Sequence, residues 1–496
     1  MGSLPVETVV GPDVQIGREV GPSSAGTRAL ALPLAFALGL AAFTFIDSVR
    51  ESIALWRTFA GAVAVLFAWN AVLMVSAVRS GRMLAVEVVL RKQHYLQACA
   101  QGSVLLYWGW YWRPVYDSAY LIAAQLLFAY AFDMLLTWSR RDVYTLGFGP
   151  FPVIFSINLF LWFKPDWFYM QFLMVALGLA AKELIRWDRD GRRVHIFNPS
   201  SFPLAVFSIA LLIAGRSDLT FGQEIASTQF YPPHMYLMLF LIGLPGQYFF
   251  GVTTMTMSAV VTTYLFGLLY YAATGIYFFY DSYIPIAVFL GMHLLFTDPS
   301  TSPRTELGRL MFGALYGLST CALYAMLGHA GLPTFYDKLL QVPILNLSIK
   351  LIDGAVRSTR LRTFDPGAVA AWLAPRRRHL AYMSLWAVVF AAMSAAQGVG
   401  DSHPGQWLPF WQQACAKGRP YACSYYERVV QDDCDRGSGW ACGELSVLQT
   451  RAAGARPTLE DYPIILRGSK GPIRDVSPPQ LEALACREGW PGACDQ

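Results

Sequence analysis

The residues able to do chemistry fall into two short polar stretches set in otherwise apolar sequence. One, TDPSTSPRTELGR, places Thr297, Asp298, Ser300, Thr301 and Ser302 around Pro299 and Pro303, with Arg304 and Arg309 behind them. The other, HIFNPSSFP, places His195, Asn198, Ser200 and Ser201 around Pro199 and Pro203. Proline removes a backbone donor and ends a helix. At or near hydrocarbon depth, the backbone groups so freed must be buried in protein or line a polar cavity. Each stretch therefore reads either as the wall of a polar pocket or as a capped helix–helix loop. In the first reading the amide and hydroxyls donate hydrogen bonds to a ligand. Asp298, an acid at the edge of an apolar run, is then functional by default. In the second it only caps the following turn, with Arg304 or Arg309 neutralising it. His195 reads as an interfacial histidine, and His234 and His293 have no metal-ligand spacing.

The elements that must position these residues are membrane helices. The chain is 55% hydrophobic and only 14% charged, against about 25% charged in soluble domains, and its mean hydropathy is +0.39. Apolar runs of membrane-spanning length recur from 29 to 399, so the sequence predicts an all-α polytopic membrane protein of about thirteen transmembrane helices. Predicted spans lie near 29–47, 55–78, 95–112, 119–138, 146–163, 167–185 and 199–214. The run 235–273, interrupted by Gly243, Pro245, Gly246 and Gly251, reads as two short or discontinuous helices. Further spans follow near 284–297, 308–328, 339–352 and 380–398. Lys and Arg crowd every second junction, most densely at 182–193, which the positive-inside rule assigns to the cytoplasm. The net charge of +5 is accounted for by these clusters and is no nucleic-acid signal. Residues 1–28 lack an apolar core and read as a flexible cytoplasmic tail. An odd number of spans then places 400–496 outside.

Six of the eight cysteines lie after Gly400, in three pairs of identical spacing: Cys415 with Cys423, Cys434 with Cys442, and Cys486 with Cys494. All fit C-x2-G-x3-A-C. On one helix, eight residues separate Cα atoms by about 12 Å, whereas a disulfide needs less than about 7 Å. The chain must fold back within each pair, and the intervening Gly and Pro supply that turn. The expectation is a small extracytoplasmic domain of α/α hairpins clipped by disulfides, which requires a non-reducing compartment. A metal site is the alternative, although zinc ligands favour shorter spacing. The segment 408–496 resembles the cysteine-rich SEL-type branch of the tetratricopeptide-like repeats. Such repeats present a groove to partners, so an extracytoplasmic protein is a candidate partner. A stabilising cap without a partner is the other reading. Cys99 and Cys321, within spans, read as packing residues.

Together, HIFNPSSF (195–202) and TDPSTSPRTELGRLMFGALYG (297–317) resemble the NqrB/RnfD family of membrane proteins, whose members belong to the sodium-pumping NADH:quinone oxidoreductase and to Rnf complexes. The likeness extends over about 85–355, and Asp353 falls where that family ends its last core helix with an acid. The resemblance implies an electron-transport subunit in a bacterial-type plasma membrane, among lipids and other redox subunits. It also implies a flavin, FMN or riboflavin, held non-covalently near the cytoplasmic half. Asn198, Ser200, Thr297, Asp298 and Ser302 would contribute to that site, with Phe197, Phe202 and Phe296 as walls. Many members also attach FMN to an outer-face threonine. Thr228 stands at that position, but the surrounding GQEIAST departs from the D-G-x-S/T-G-A-T signal at Gly222, Gln223, Ile225, Ala226 and Ser227. The pocket half of the pattern is kept and the covalent half is largely gone.

No nucleophile elbow, phosphate-binding loop, metalloprotease motif or dinucleotide fingerprint occurs. Three functions stay open: a flavin-binding electron carrier dependent on partner subunits, with or without coupling to cation transport; a non-redox transporter or scaffold of the same fold; and an assembly platform built on the cysteine repeats.

Overall fold

The computed structural model describes residues 27–396, apart from 230, 231, 233, 275–277, 280 and 281, and a few positions between 427 and 448. The chain is mostly helical. Its principal elements are α1 (Ala31–Ala42), α2 (Ile53–Ser80), β1 (Ala85–Val88), α3 (Lys92–Tyr111), α4 (Ala119–Trp138), β2 (Val143–Leu146), α5 (Pro150–Asn158) and α6 (Tyr169–Leu184). A hairpin of β3 (Arg186–Arg189) and β4 (Arg192–His195) follows. The remaining helices are α7 (Ser201–Ala214), α8 (Gly222–Thr228), α9 (Met235–Phe250), α10 (Thr253–Thr274), α11 (Ile286–Leu294), α12 (Glu306–His329), α13 (Gln341–Val356) and α14 (Pro375–Ala396).

Among the described residues, six helical segments are long and apolar enough to cross a membrane: Ile53–Ser80, Ala119–Trp138, Thr253–Ala273, Glu306–His329, Thr334–Val356 and Pro375–Ala396. Others of the thirteen expected spans are shorter or more polar. The expected spans at 146–163 and 284–297 are nine-residue helices, α5 and α11, each followed by irregular chain. The break expected within 235–273 falls at Gly251, with φ +65°, and α9 runs through Pro245.

The structure also corrects the all-α expectation. β1 and β2 pair in parallel, and the charge-rich stretch read as a loop forms the β3–β4 hairpin. Its tip is Asp190 and Gly191, both at positive φ (49° and 75°). An Asp-Gly pair of this kind matches the twist of the strands it joins.

The chain divides into two compact units. The larger comprises residues 1–228, 239–262 and 287–387. Within it, α2, α4 and α6 meet at an aromatic cluster in which Phe128 and Phe172 lie 4.7 Å apart and Phe59 packs edge-on to Phe172. Gly313 lets α12 approach α10 so closely that a Cβ there would sit 2.1 Å from the Met255 carbonyl oxygen. The smaller unit comprises 229–238, 263–286 and 388–496. In it the Tyr236 hydroxyl donates to the Ile284 carbonyl at 2.7 Å, and Tyr264 packs on Tyr283. Most of the cysteine-rich segment, including the expected pairings, lies outside the described residues. Among the described residues, Cys99 and Cys321 are free.

α5 and α11 share a pattern: Pro152 and Phe163, like Pro285 and Phe296, stand eleven positions apart. The two helices run in opposite senses. α5 begins beside His94 and Lys182, which flank Gly149, whereas the chain leaving α11 passes Asp298 and Pro299 at the same cleft. Phe160, just past the end of α5, lies against Gly291 of α11.

Candidate functional site

The irregular chain after each half-helix exposes backbone groups that need partners, and buried side-chain amides supply them. After α5, the Phe163 N–H donates to Gln171 Oε1 at 3.1 Å, and Gln171 Nε2 donates to Gln125 Oε1 at 3.3 Å. Gln125 and Asn158 exchange two hydrogen bonds, at 3.1 and 2.9 Å. After α11, Asn198 Nδ2 donates to the Leu295 carbonyl at 2.9 Å, and Asn346 Nδ2 to the Thr301 carbonyl at 3.3 Å. The two asparagines are joined by a hydrogen bond from Asn198 N–H to Asn346 Oδ1, at 3.1 Å. Sequence reasoning found only Asn198 among these residues. The others are single polar residues inside apolar helices, and only their coincidence around two breaks distinguishes them.

Asn198 also builds the turn that starts α7. Its Oδ1 accepts from Ser200 N–H, Ser200 Oγ and Ser201 N–H at 2.8 to 3.1 Å. Gly178 of α6 admits this turn, because a Cβ there would stand 2.2 Å from the Pro199 carbonyl oxygen. On the facing stretch, Asp298 Oδ1 accepts from Ser300 N–H at 3.0 Å, while its Oδ2 lies 3.3 Å from both His195 Nε2 and Thr301 Oγ1. The Thr297 hydroxyl donates to His293 O and the Ser302 hydroxyl to Asp298 O. Thr305 caps α12 by accepting from Gly308 N–H at 3.1 Å.

Asp298 therefore does cap its turn, but neither expected arginine neutralises it. Arg304 pairs with Asp190 at 2.7 Å and Arg309 with Glu306 at 2.6 Å, and His195 is the group beside the Asp298 carboxylate. Burial pushes the Asp298 carboxyl up, yet hydrogen bonds from His195, the Ser300 N–H and the Thr301 hydroxyl together hold it below its ordinary value.

Behind the 297–304 stretch sits a buried arginine that sequence reasoning passed over within its charge cluster. Arg189, from β3, donates to the Ser302 carbonyl at 2.7 Å and to Asp353 Oδ2 at 2.7 Å. Asp353 also accepts from the Arg304 N–H at 3.0 Å.

Between these parts lies a cleft with a volume of about 70 Å³. His94, Lys182, His195 and Asp298 converge on it, together with Gln93, Gln97, Asn198, Ser200 and Ser300. Thr297 and Ser302 belong to the adjoining turn. Thr228 lies elsewhere: its buried hydroxyl accepts from Trp108 Nε1 at 3.2 Å, and Trp108 stacks on Trp112, which in turn stacks on Trp162. Trp108 is fourteen residues along α3 from His94, or about 21 Å at 1.5 Å per residue.

The groups expected to hold an isoalloxazine here are engaged within the protein. The amide of Asn198 and the hydroxyls of Ser200, Thr297 and Ser302 are already used within the protein. The expected aromatic walls stack elsewhere, Phe197 on Phe202 at 4.5 Å and Phe296 on Tyr316 at 4.4 Å. Thr228 is buried, at 5% exposure. No family model, curated protein or solved structure matches the chain.

Proposed function

We propose that this chain is an integral membrane subunit of the kind found in Rnf and sodium-pumping oxidoreductase complexes, working in the transport half of such an assembly. One observation carries the proposal: two opposed half-helices, α5 and α11, whose irregular continuations are held by buried amides. Irregular backbone at membrane depth is tolerated where it is buried or lines a polar path, and opposed broken helices are a recurrent design for passing small polar species at the midplane. In this reading electrons are handled by partner subunits, and the cleft beside His195 and Asp298 is the polar opening on the cytoplasmic side. Counting the shorter helices as crossings gives thirteen spans, a cytoplasmic N-terminus and an extracytoplasmic 400–496 clipped by disulfides. Such a segment would be a docking surface for an extracytoplasmic protein.

The second reading keeps the flavin. The likeness of 195–202 and 297–317 to flavin-binding subunits favours it, with the cofactor held non-covalently and electrons passed between partner proteins. Acid extraction of the purified, folded protein separates the two. The transport reading expects no stoichiometric flavin in the extract, and one equivalent per chain would replace it with the electron-carrier reading.

A further inference from the structure

Gln93 and Gln97 line the cleft from α3, and Gln101 follows at the same four-residue interval. Residues four apart share one face of a helix, so the three amides form a ladder about 12 Å long. The two upper rungs border the cleft, and the third is fully buried at 0% exposure. α5 descends beside it in the same sense. Gly149, just before it, and its Pro152 and Val153 line the cleft, and Ser156, the next turn down, accepts from Gln101 Nε2 at 2.6 Å. Gln101 Nε2 also donates to the carbonyl of Leu294, the last residue of α11, at 3.3 Å. Both half-helices thus meet at this glutamine.

The other amide atom, Gln101 Oε1, is buried with no hydrogen-bond partner. An acceptor left unmade in a low-dielectric interior loses more than an ordinary hydrogen bond contributes. Where protein supplies no partner, ordered water is the usual one. The cleft floor lies one helical turn away, at Gln97 on α3 and Val153 on α5.

We propose that the cleft continues as a blind, water-filled half-channel along Gln93, Gln97 and Gln101, ending at the layer formed by Gln101, Ser156 and the Leu294 carbonyl. Its occupant is water. Amides donate and accept without adding charge, and a cleft of about 70 Å³ holds a few waters above the buried rung. The proposal rests on reading the core as membrane-embedded, which places this water within the hydrocarbon region.

Thiol accessibility tests it in membrane vesicles, on a Cys99→Ser, Cys321→Ser background, with labelling read by mass on the peptide that carries each introduced cysteine, apart from the six after Gly400. Gln93→Cys, Gln97→Cys and Gln101→Cys are exposed in turn to 2-aminoethyl methanethiosulfonate, which modifies thiols in contact with water. All three should be labelled, more slowly with depth, and a second substitution, Gln97→Trp, should abolish labelling at 101. Leu106→Cys, on the outward apolar face at 64% exposure, should stay unlabelled. Ser156→Cys reports on the same layer if Gln101→Cys fails to fold. Labelling at 93 and 97 but at neither 101 nor 156 overturns the half-channel while leaving the cleft intact. Labelling at 101 that survives Gln97→Trp overturns the route. Absence of labelling even at 93 overturns the open cleft as well.

Discussion

Arg189 and Asp353, 164 residues apart in the chain, meet as a buried ion pair at 2.7 Å, each side chain less than 10% exposed. The same guanidinium holds the Ser302 carbonyl, so one residue ties the β3–β4 hairpin, the end of α13 and the turn after α11 together. Removing one partner of a buried pair costs roughly 3–5 kcal/mol, because the other charge is left uncompensated. Arg189→Met should therefore lower the apparent melting temperature in detergent far more than Arg216→Met, whose exposed pair with Asp218 contributes little. The double variant Arg189→Met, Asp353→Leu should recover part of the loss. Equal shifts for Arg189→Met and Arg216→Met would contradict the clamp.

The close crossing of α10 and α12 makes a second prediction. A methyl group at Gly313 would overlap the Met255 carbonyl oxygen, which is backbone and cannot swing aside. Gly313→Ala should reduce the yield of monodisperse protein sharply. Gly61, in α2, has nothing within 4 Å of its would-be Cβ, so Gly61→Ala should be neutral or stabilising by up to about 1 kcal/mol from helix propensity. Size-exclusion chromatography after mild extraction compares the two.

What sequence could reveal followed from how locally each feature is encoded. The proline-bearing stretch at 297–303 was legible as a costly break, because Thr297, Asp298, Pro299 and Pro303 adjoin one another. Asn198 was legible for the same reason, standing directly before Pro199. The direction of their side chains was not. The hydroxyls of Thr297 and Ser302 are taken up by nearby carbonyls, a choice made by turn geometry. Gln101, Gln125, Asn158 and Gln171 were illegible singly, since one amide in an apolar helix carries no pattern. Arg189 was hidden among neighbouring charges, and its buried partner lies beyond any local window.

Asp298 gives a pH signature. Its carboxyl is held below the ordinary value by His195, the Ser300 N–H and the Thr301 hydroxyl, against the upward push of burial. A carboxylate with a lowered folded-state pKa contributes stability that is fully present above the unfolded value of about 3.9 and is lost as pH falls through the folded one. Asp298→Asn should melt below wild type by a constant margin from about pH 5 upward, and the two curves should converge below about pH 4. A margin that persists unchanged into that acid range would assign the effect to shape rather than charge.

The cysteines make a prediction about compartment. Cys99 and Cys321 are free. If the three expected pairs are all oxidised, unfolding in dodecyl sulfate without reductant should expose two thiols to maleimide, and eight after reduction. Intact mass reads both numbers directly. Eight adducts without reductant would remove both the disulfide pairing and the argument from it that 400–496 lies outside.

Thr228 separates a structural threonine from a flavin carrier. Its hydroxyl is the acceptor for the buried Trp108 N–H, beside the stacked indoles of Trp112 and Trp162. Thr228→Val keeps the shape and removes the acceptor, leaving an unsatisfied donor at a cost of about 1–3 kcal/mol. Thr228→Ser keeps the hydroxyl and should melt close to wild type. A covalent flavin would instead give a band that fluoresces under ultraviolet light in a denaturing gel and vanishes in Thr228→Val. The burial of Thr228 leads to a dark band in every variant, with stability rather than fluorescence tracking the hydroxyl. A fluorescent wild-type band would show that the indole cluster opens to admit the phosphoester, and would return the electron-carrier reading to first place.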